Sequence, residues 1–229
     1  MTQLDNEPHA PEAAESAIYE RRFPDAETAQ RQALWSVLAG WLQRYIPEDS
    51  RVLDVGAGDG EFISNIRARE RWATDIRDTS ERLPDDVRFV AAEGSTLLEV
   101  LDAGTFDRAF MSNYLEHLES GAAVVEQLRV VRDLLRPGGR VIILQPNVAL
   151  VGGAYWDFID HKVALTVRSL AEAVELAGLR PIESIKRFLP YSTKGRLPVS
   201  TTLVRAYLAL RPAWWLLGKQ TLLVAERPD

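Results

Sequence analysis

The sequence predicts an α/β fold in which helices cover both faces of a mostly parallel sheet. Between residues 51 and 144, short apolar runs alternate with stretches of helical periodicity. Continuous apolar runs are typical of strands buried on both faces, and the helical stretches between them are typical of crossovers between parallel strands. A chain of 229 residues, 46% hydrophobic and 26% charged, has the size and composition of one folded domain.

The chain begins with a segment that we expect to be disordered. Residues 1–22 are acidic and offer little apolar surface to offset the entropy of ordering. A single domain is predicted over residues 23–229. It opens with an amphipathic helix over residues 24–46, whose apolar side chains recur at helical spacing at Leu34, Leu38, Trp41, Leu42 and Tyr45.

The central elements follow from the same periodicities. Five buried strands are predicted at residues 51–55, 71–76, 87–92, 106–111 and 140–144. Helices are predicted at residues 61–69, 95–101, 121–135 and 167–177, and closing strands at 181–188 and 221–226. Residues 188–218 are then an insertion between the last two strands.

Composition excludes several kinds of site and partner. The chain has no cysteine, which excludes disulfides, thiolate metal sites and cysteine nucleophiles. A net charge of −6 disfavours a nucleic-acid partner. The N-terminus lacks the basic and apolar regions of a secretory signal, and residues 203–217 are too short and too interrupted to span a membrane, so we expect a cytoplasmic protein.

The stretch Val52–Phe62, VLDVGAGDGEF, indicates a ligand-binding loop. Gly56, Gly58 and Gly60 follow a buried strand, and without a Cβ they allow a tight turn that presents backbone amides to a ligand at a helix N-terminus. The third glycine comes one residue earlier than in the dinucleotide fingerprint, and Glu61 after it would repel a pyrophosphate. A cationic ligand is favoured, and an NAD-dependent oxidoreductase is the weaker alternative.

With this loop the chain resembles the class I S-adenosylmethionine-dependent methyltransferases, whose first motif has the form E/D-x-G-x-G-x-G. The resemblance covers residues 52–185 and implies a seven-stranded Rossmann-like sheet with an antiparallel last strand, and an N-terminal helix over the cofactor cleft. It implies that S-adenosylmethionine is bound at four places. The loop contributes Asp54, Gly56, Ala57, Gly58 and Gly60, and the acidic residue at the ribose is Asp75, followed by Ile76. The segment near the adenine is Glu93, Gly94 and Ser95, and the residue near the methionine portion is Asn113.

The resemblance implies methyl transfer, and we expect a small-molecule acceptor, such as a sugar or a lipid-linked metabolite, methylated at oxygen. A poorly acidic hydroxyl needs a base, and the candidates are His161, beyond the fifth strand, and His117, in the motif SNYLEHL. Tyr155 and Trp156 either contact the acceptor or fill the core. We expect no metal, because the ligand types near His161 cluster in one loop. A non-catalytic S-adenosylmethionine-binding regulatory or assembly partner remains the alternative.

The insertion carries a second surface feature. Residues 203–217 combine an apolar helical face with Trp214, Trp215 and neighbouring arginines. Such a segment either packs on the sheet or at a subunit interface, or provides a peripheral contact with a membrane or a lipid-bearing substrate.

Overall fold

A computed structural model describes residues 28–191 and 200–229, so the predicted tail lies outside the described residues. In these ranges, one sheet has the strand order β3-β2-β1-β4-β5-β7-β6. The strands are β1 Arg51–Val55, β2 Glu70–Asp75, β3 Val87–Ala91, β4 Phe106–Ser112, β5 Leu135–Pro146, β6 Arg180–Ile185 and β7 Gln220–Glu226. The helices are α1 Thr28–Leu42, α2 Leu97–Val100, α3 Gly121–Leu134, α4 Val148–Val151, α5 Val167–Leu176, α6 Thr201–Ala209 and α7 Arg211–Leu217.

The sheet is parallel except at one strand. β1 pairs in parallel with β2 and β4, and β4 pairs in parallel with β5. β7 lies between β5 and β6 and is antiparallel to both. The α/β fold with a mostly parallel seven-stranded sheet and an antiparallel last strand is therefore confirmed. Because the carboxyl ends of the parallel strands meet at one edge, the loops after β1, β2, β3, β4 and β5 lie together.

Helices cover both faces of this sheet and produce two apolar layers. One layer packs α3 and α5 against the sheet, with Leu128, Leu134 and Leu170 fully buried. The other places α1, α6 and α7 against the opposite face, around Leu42, Phe110 and Leu208. The apolar runs of the central strands are buried from both sides, which is why they lack polar alternation. The prediction of a buried strand at residues 87–92 was wrong in this respect, because β3 is an edge strand and its Arg88 and Ala91 are exposed.

The helix predicted over residues 61–69 was wrong. The structure has only a 3₁₀ turn, Ile63–Asn65, between β1 and β2. The Glu61 carbonyl oxygen, which an α-helix would bind to the Asn65 N–H, accepts the Asn65 side-chain amide at 2.7 Å instead. Arg71 of β2 donates to the Ile63 carbonyl oxygen at 3.1 Å, and the backbone is extended again at Ile66.

The insertion packs partly on the core. The rings of Trp41, Phe188 and Trp214 lie within 5.5 Å of one another, centre to centre. The Tyr207 hydroxyl donates to the Phe188 carbonyl oxygen, and the Trp214 indole donates to the Tyr207 carbonyl oxygen at 2.8 Å. The predicted apolar face is thus divided, because Tyr207 and Trp214 face the core whereas Trp215 is 75% exposed. None of the helices within the described ranges is both long and apolar enough to cross a membrane.

Candidate functional site

The glycine loop after β1 has the backbone that its sequence requires. Gly56, Gly58 and Gly60 have φ angles of 67°, 58° and 73°, in the left-handed region that disfavours side chains. A Cβ on Gly56 would also lie 2.4 Å from Tyr114 Cδ2. The Ala57 amide donates to the Thr74 carbonyl oxygen at 2.9 Å, which ties the loop to β2. Since no α-helix follows, the amides available to a ligand belong to the loop itself.

Asp75, at the end of β2, fixes the glycine loop through a hydrogen bond from the Gly58 amide. Its Oδ2 accepts the Gly58 N–H at 2.9 Å, and its Oδ1 accepts the Arg77 N–H at 3.0 Å. The Arg77 Nε lies 3.4 Å from the same Oδ1. Ile76, the next residue, has a side chain that is 54% exposed. The acidic residue and an exposed apolar neighbour therefore stand side by side at the edge where β1 and β2 end.

Negative charge is concentrated beneath the loop. Asp54 is 3% exposed, and burial together with the nearby charges of Glu61 and Asp75 raises its pKa well above the ordinary value. Burial also raises the pKa of Glu61, although the guanidinium of Arg31 opposes this at 2.9 Å. Glu61 is therefore already paired with an arginine, whereas no cation pairs with Asp54 within the described residues and burial favours its neutral form.

Two arginines that sequence reasoning missed neutralise the loop's other acidic residue. Arg31 of α1 and Arg82 contact the two Asp59 carboxylate oxygens at 2.5 and 2.8 Å. Asp59 is buried, so this pairing compensates its charge. The N-terminal end of α1 consequently lies against the glycine loop, a contact that no local sequence pattern indicates.

The loop after β3 contacts the same region through Tyr114. A Cβ on Gly94 would lie 2.0 Å from the Tyr114 hydroxyl oxygen, which donates to Gln127 Oε1 at 3.0 Å. Burial and the charges of Asp75 and Glu93 raise the pKa of Tyr114. The Tyr114 ring thus bridges Gly56 and Gly94, two predicted cofactor contacts. Sequence reasoning missed it, although it stands inside the motif SNYLEHL.

The remaining predicted cofactor contacts lie at the same edge. Glu93 and Ser95 are exposed, and the Ser95 hydroxyl donates to Glu93 Oε2 at 3.3 Å. Asn113 is exposed and has a φ of 48°, the single positive value for a non-glycine residue in the described part of the chain. Its N–H donates to the Leu144 carbonyl oxygen at 2.9 Å, which positions it between β4 and β5.

The two candidate bases lie together beside a buried carboxyl group. The rings of His117 and His161 are 5.2 Å apart, and each offers a ligand atom within 4.8 Å of the others and of a Glu116 oxygen. His161 Nδ1 lies 2.9 Å from the Tyr155 carbonyl oxygen. His117 Nδ1 lies 3.1 Å from the Asp160 carbonyl oxygen and 3.3 Å from its carboxylate.

Electrostatics favour the protonated form of His117. Burial alone would lower its pKa, but the hydrogen bond to Asp160 and the charge of Glu116 outweigh burial and raise it. Glu116 is 1% exposed, and burial raises its pKa in turn. The pKa values of His117 and Glu116 therefore depend on each other.

Tyr155 and Trp156 have different surroundings. Tyr155 is completely buried, its hydroxyl donates to the Val163 carbonyl oxygen, and its own carbonyl oxygen binds His161, which is the core position that the sequence allowed. Trp156 is 56% exposed and remains accessible to one.

Known proteins resemble this chain in sequence family and in fold. Residues 28–184 match the model of a family described as a methyltransferase domain. Among curated proteins, no sequence matches the chain. A methyltransferase from Archaeoglobus fulgidus is similar in structure, with a TM-score of 0.61, 19% identity, and coverage of 92% of this chain and 99% of that one.

Two further solved structures have the same fold. One is an S-adenosylmethionine-dependent methyltransferase from Mesorhizobium loti, with a TM-score of 0.60, 20% identity, and coverage of 82% of this chain and 98% of that one. The other is 1,6-didemethyltoxoflavin-N1-methyltransferase from Burkholderia thailandensis, with bound S-adenosylhomocysteine, a TM-score of 0.58, 21% identity, and coverage of 100% and 94%. This chain belongs to the methyltransferase-domain family and is a class I S-adenosylmethionine-dependent methyltransferase.

Proposed function

We propose that this enzyme transfers a methyl group to a hydroxyl oxygen of a small-molecule acceptor, such as a sugar or a lipid-linked metabolite. The observation that carries the proposal is the meeting of Glu116, His117 and His161 at the carboxyl ends of β4 and β5. This cluster lies at the sheet edge that also carries the glycine loop. Proton-accepting groups beside a cofactor edge suit an acceptor that must lose a proton.

The residues at this edge fit S-adenosylmethionine. Burial, together with the charges of Glu61 and Asp75, raises the pKa of Asp54, and a sulfonium and an ammonium group nearby would favour its ionised form. Asp75 has two carboxylate oxygens suited to a vicinal diol, and exposed Ile76 offers an apolar surface to an adenine ring. The Tyr114 side chain lies against both Gly56 and Gly94, two of the predicted cofactor contacts. When bound, the cofactor supplies an electrophilic methyl group on sulfur.

The histidines have separate tasks in this proposal. A backbone carbonyl oxygen only accepts hydrogen bonds, so the bond between His161 Nδ1 and Tyr155 leaves His161 Nε2 as the proton-accepting atom. His117, bound to Asp160, orients the neighbouring ring and supplies positive charge. Exposed Trp156 lies in the same loop and is placed to contact the acceptor.

Two measurements test the reaction. Calorimetry with S-adenosylmethionine, S-adenosylhomocysteine and NAD should show binding of the first two alone. Single-turnover assays with trideuteromethyl-labelled cofactor and a panel of sugars and lipid-linked alcohols should then show a labelled methyl ether, formed more slowly by His161→Ala at unchanged cofactor affinity. Binding without transfer to any hydroxyl, nitrogen or carbon acceptor would favour the non-catalytic alternative, and NAD binding would favour the oxidoreductase.

An anionic lipid surface is the partner that we propose for the insertion. Leu203, Leu210, Trp215, Leu216 and Leu217 are each more than half exposed. The exposed charges among and after them are basic, Arg205, Arg211 and Lys219, and no acidic residue occurs between positions 200 and 225. In a chain of net charge −6, a basic rim around exposed apolar side chains complements anionic headgroups.

A further inference from the structure

Glu116, His117 and His161 form a set of two imidazoles and one carboxyl group. One ligand atom from each residue lies within 4.8 Å of the other two. We propose that this set binds a divalent transition-metal ion. Two histidines and one carboxylate hold such ions at sites that leave coordination positions open for water or substrate. The sequence-based expectation of no metal considered only the loop around His161 and did not anticipate its meeting with the turn after β4.

The Glu116 carboxyl group is buried and incompletely hydrogen-bonded. The Gln145 side-chain amide lies beside it, and this contact and the charge of His117 favour the ionised carboxylate. By geometry, however, neither Glu116 Oε2 nor the Gln145 amide has a hydrogen-bond partner in the described part of the chain. Leaving buried polar atoms unpaired costs about 1–3 kcal/mol each, and more for a charged group. A cation with coordinated water would satisfy both groups at once.

The histidines are held as metal ligands usually are. His117 Nδ1 lies 3.1 Å from the Asp160 carbonyl oxygen, and His161 Nδ1 lies 2.9 Å from that of Tyr155. Each Nδ1 therefore carries a proton, so an ion would bind each ring through Nε2 and displace the second proton that Asp160 and Glu116 favour on His117. Hydrogen bonds from the far nitrogen to a carbonyl or carboxylate fix the ring orientation of ligating histidines in proteins.

The backbone also holds the three residues in place. The Glu116 carbonyl oxygen accepts the N–H groups of Lys162 and Val163 at 2.8 and 3.0 Å. The buried Tyr155 hydroxyl donates to the Val163 carbonyl oxygen. The loop bearing His161 is thereby fastened to the turn bearing Glu116 and His117, so little ordering remains to be done when an ion binds.

The inference rests on the proposed function only for what the ion does. In the metal-free protein His161 Nε2 accepts the proton, as proposed above. With the ion bound, His161 would be a ligand, and the metal would lower the pKa of the acceptor hydroxyl so that its proton leaves to solvent. Metal binding itself requires neither cofactor nor acceptor. It can therefore be tested apart from methyl transfer, and cofactor binding can be measured on chelator-treated protein.

The full chain, stripped with a chelator and dialysed, should be titrated with Zn²⁺ by calorimetry and with Co²⁺ by visible absorption. We expect one ion per chain and d–d bands typical of nitrogen and oxygen ligands. Glu116→Gln and His161→Asn should each weaken binding about 100-fold or more, since each removes a ligand. Glu119→Gln, which neutralises an exposed carboxylate three residues away, should bind as wild type does.

Nuclear magnetic resonance of the histidine rings makes the test independent of variant folding. The chain has three histidines, and His9 does not belong to the set. Zn²⁺ should shift or broaden the ring signals of His117 and His161 in the wild-type protein and leave His9 unchanged. Absence of stoichiometric binding, or binding that leaves these two rings unperturbed, would overturn the proposal.

Discussion

Asp75→Ala tests both roles that the structure gives to this residue. In the folded protein its carboxylate accepts the Gly58 and Arg77 amides at 2.9 and 3.0 Å, and it is the predicted partner of the ribose hydroxyls. The substitution removes both backbone contacts. It also removes one of the charges that raise the pKa of Asp54, which offsets part of the loss.

The two effects differ in size. Hydrogen bonds to a charged group are worth about 1.5–3 kcal/mol each, but the freed amides regain water and repulsion with Asp54 falls, so we expect a net loss of about 1–2 kcal/mol of stability. For a domain of this size that lowers Tm by about 2–8 °C. Loss of the ribose contacts should weaken S-adenosylmethionine binding by about 1.5–3 kcal/mol, or roughly 10- to 150-fold.

Calorimetry and thermal unfolding of Asp75→Ala, Asp75→Asn and Asp78→Ala measure these effects. Asp75→Asn keeps one acceptor oxygen and should fall between wild type and Asp75→Ala. Asp78→Ala removes the same charge from an exposed position three residues further on, so it should leave cofactor affinity unchanged. A folded Asp75→Ala protein with wild-type affinity would refute the assignment of Asp75 to the ribose.

Three further predictions concern other parts of the molecule. Because Asp54 has a raised pKa and a cationic ligand favours its ionised form, S-adenosylmethionine binding should release protons and tighten as pH rises through that pKa. Calorimetry in buffers of different ionisation enthalpy detects the proton release. A binding enthalpy that does not depend on the buffer would contradict this prediction. Gly56→Ala should destabilise the fold more than Gly104→Ala. Both glycines have φ near +67°, which costs a side chain about 1–2 kcal/mol, but only alanine at position 56 would also place a Cβ against Tyr114. Equal losses of stability in chemical denaturation would count against that contact. The double variant Trp215→Ala with Leu216→Ala should co-sediment less with anionic vesicles, at unchanged Tm, because both side chains are exposed. Trp214→Ala should instead cost about 3–5 kcal/mol of stability because Trp214 is buried. Undiminished sedimentation of the double variant would argue against the lipid surface.

Local patterns were sufficient for the elements of the fold. The apolar runs that became β1, β4 and β5 could be located because strands buried on both faces need continuous apolar residues, and α3 and α5 because their apolar residues recur at helical spacing. The glycine loop and the acidic end of β2 were also apparent, because left-handed φ angles restrict those positions to glycine. These properties depend on neighbours in sequence.

The alternation of strands and helices and the motif residues at the ends of β1, β2 and β3 could thus be predicted from the amino acids alone. The tertiary structure was needed to show that residues 61–69 lack a helix, because side chains of Asn65 and of Arg71 in β2 bind carbonyl oxygens that a helix would use. It alone placed Arg31 on the glycine loop, Tyr114 between Gly56 and Gly94, and Glu116 beside His161. Such contacts join segments far apart in the chain, and strand order and loop paths, which no local periodicity records, bring them together.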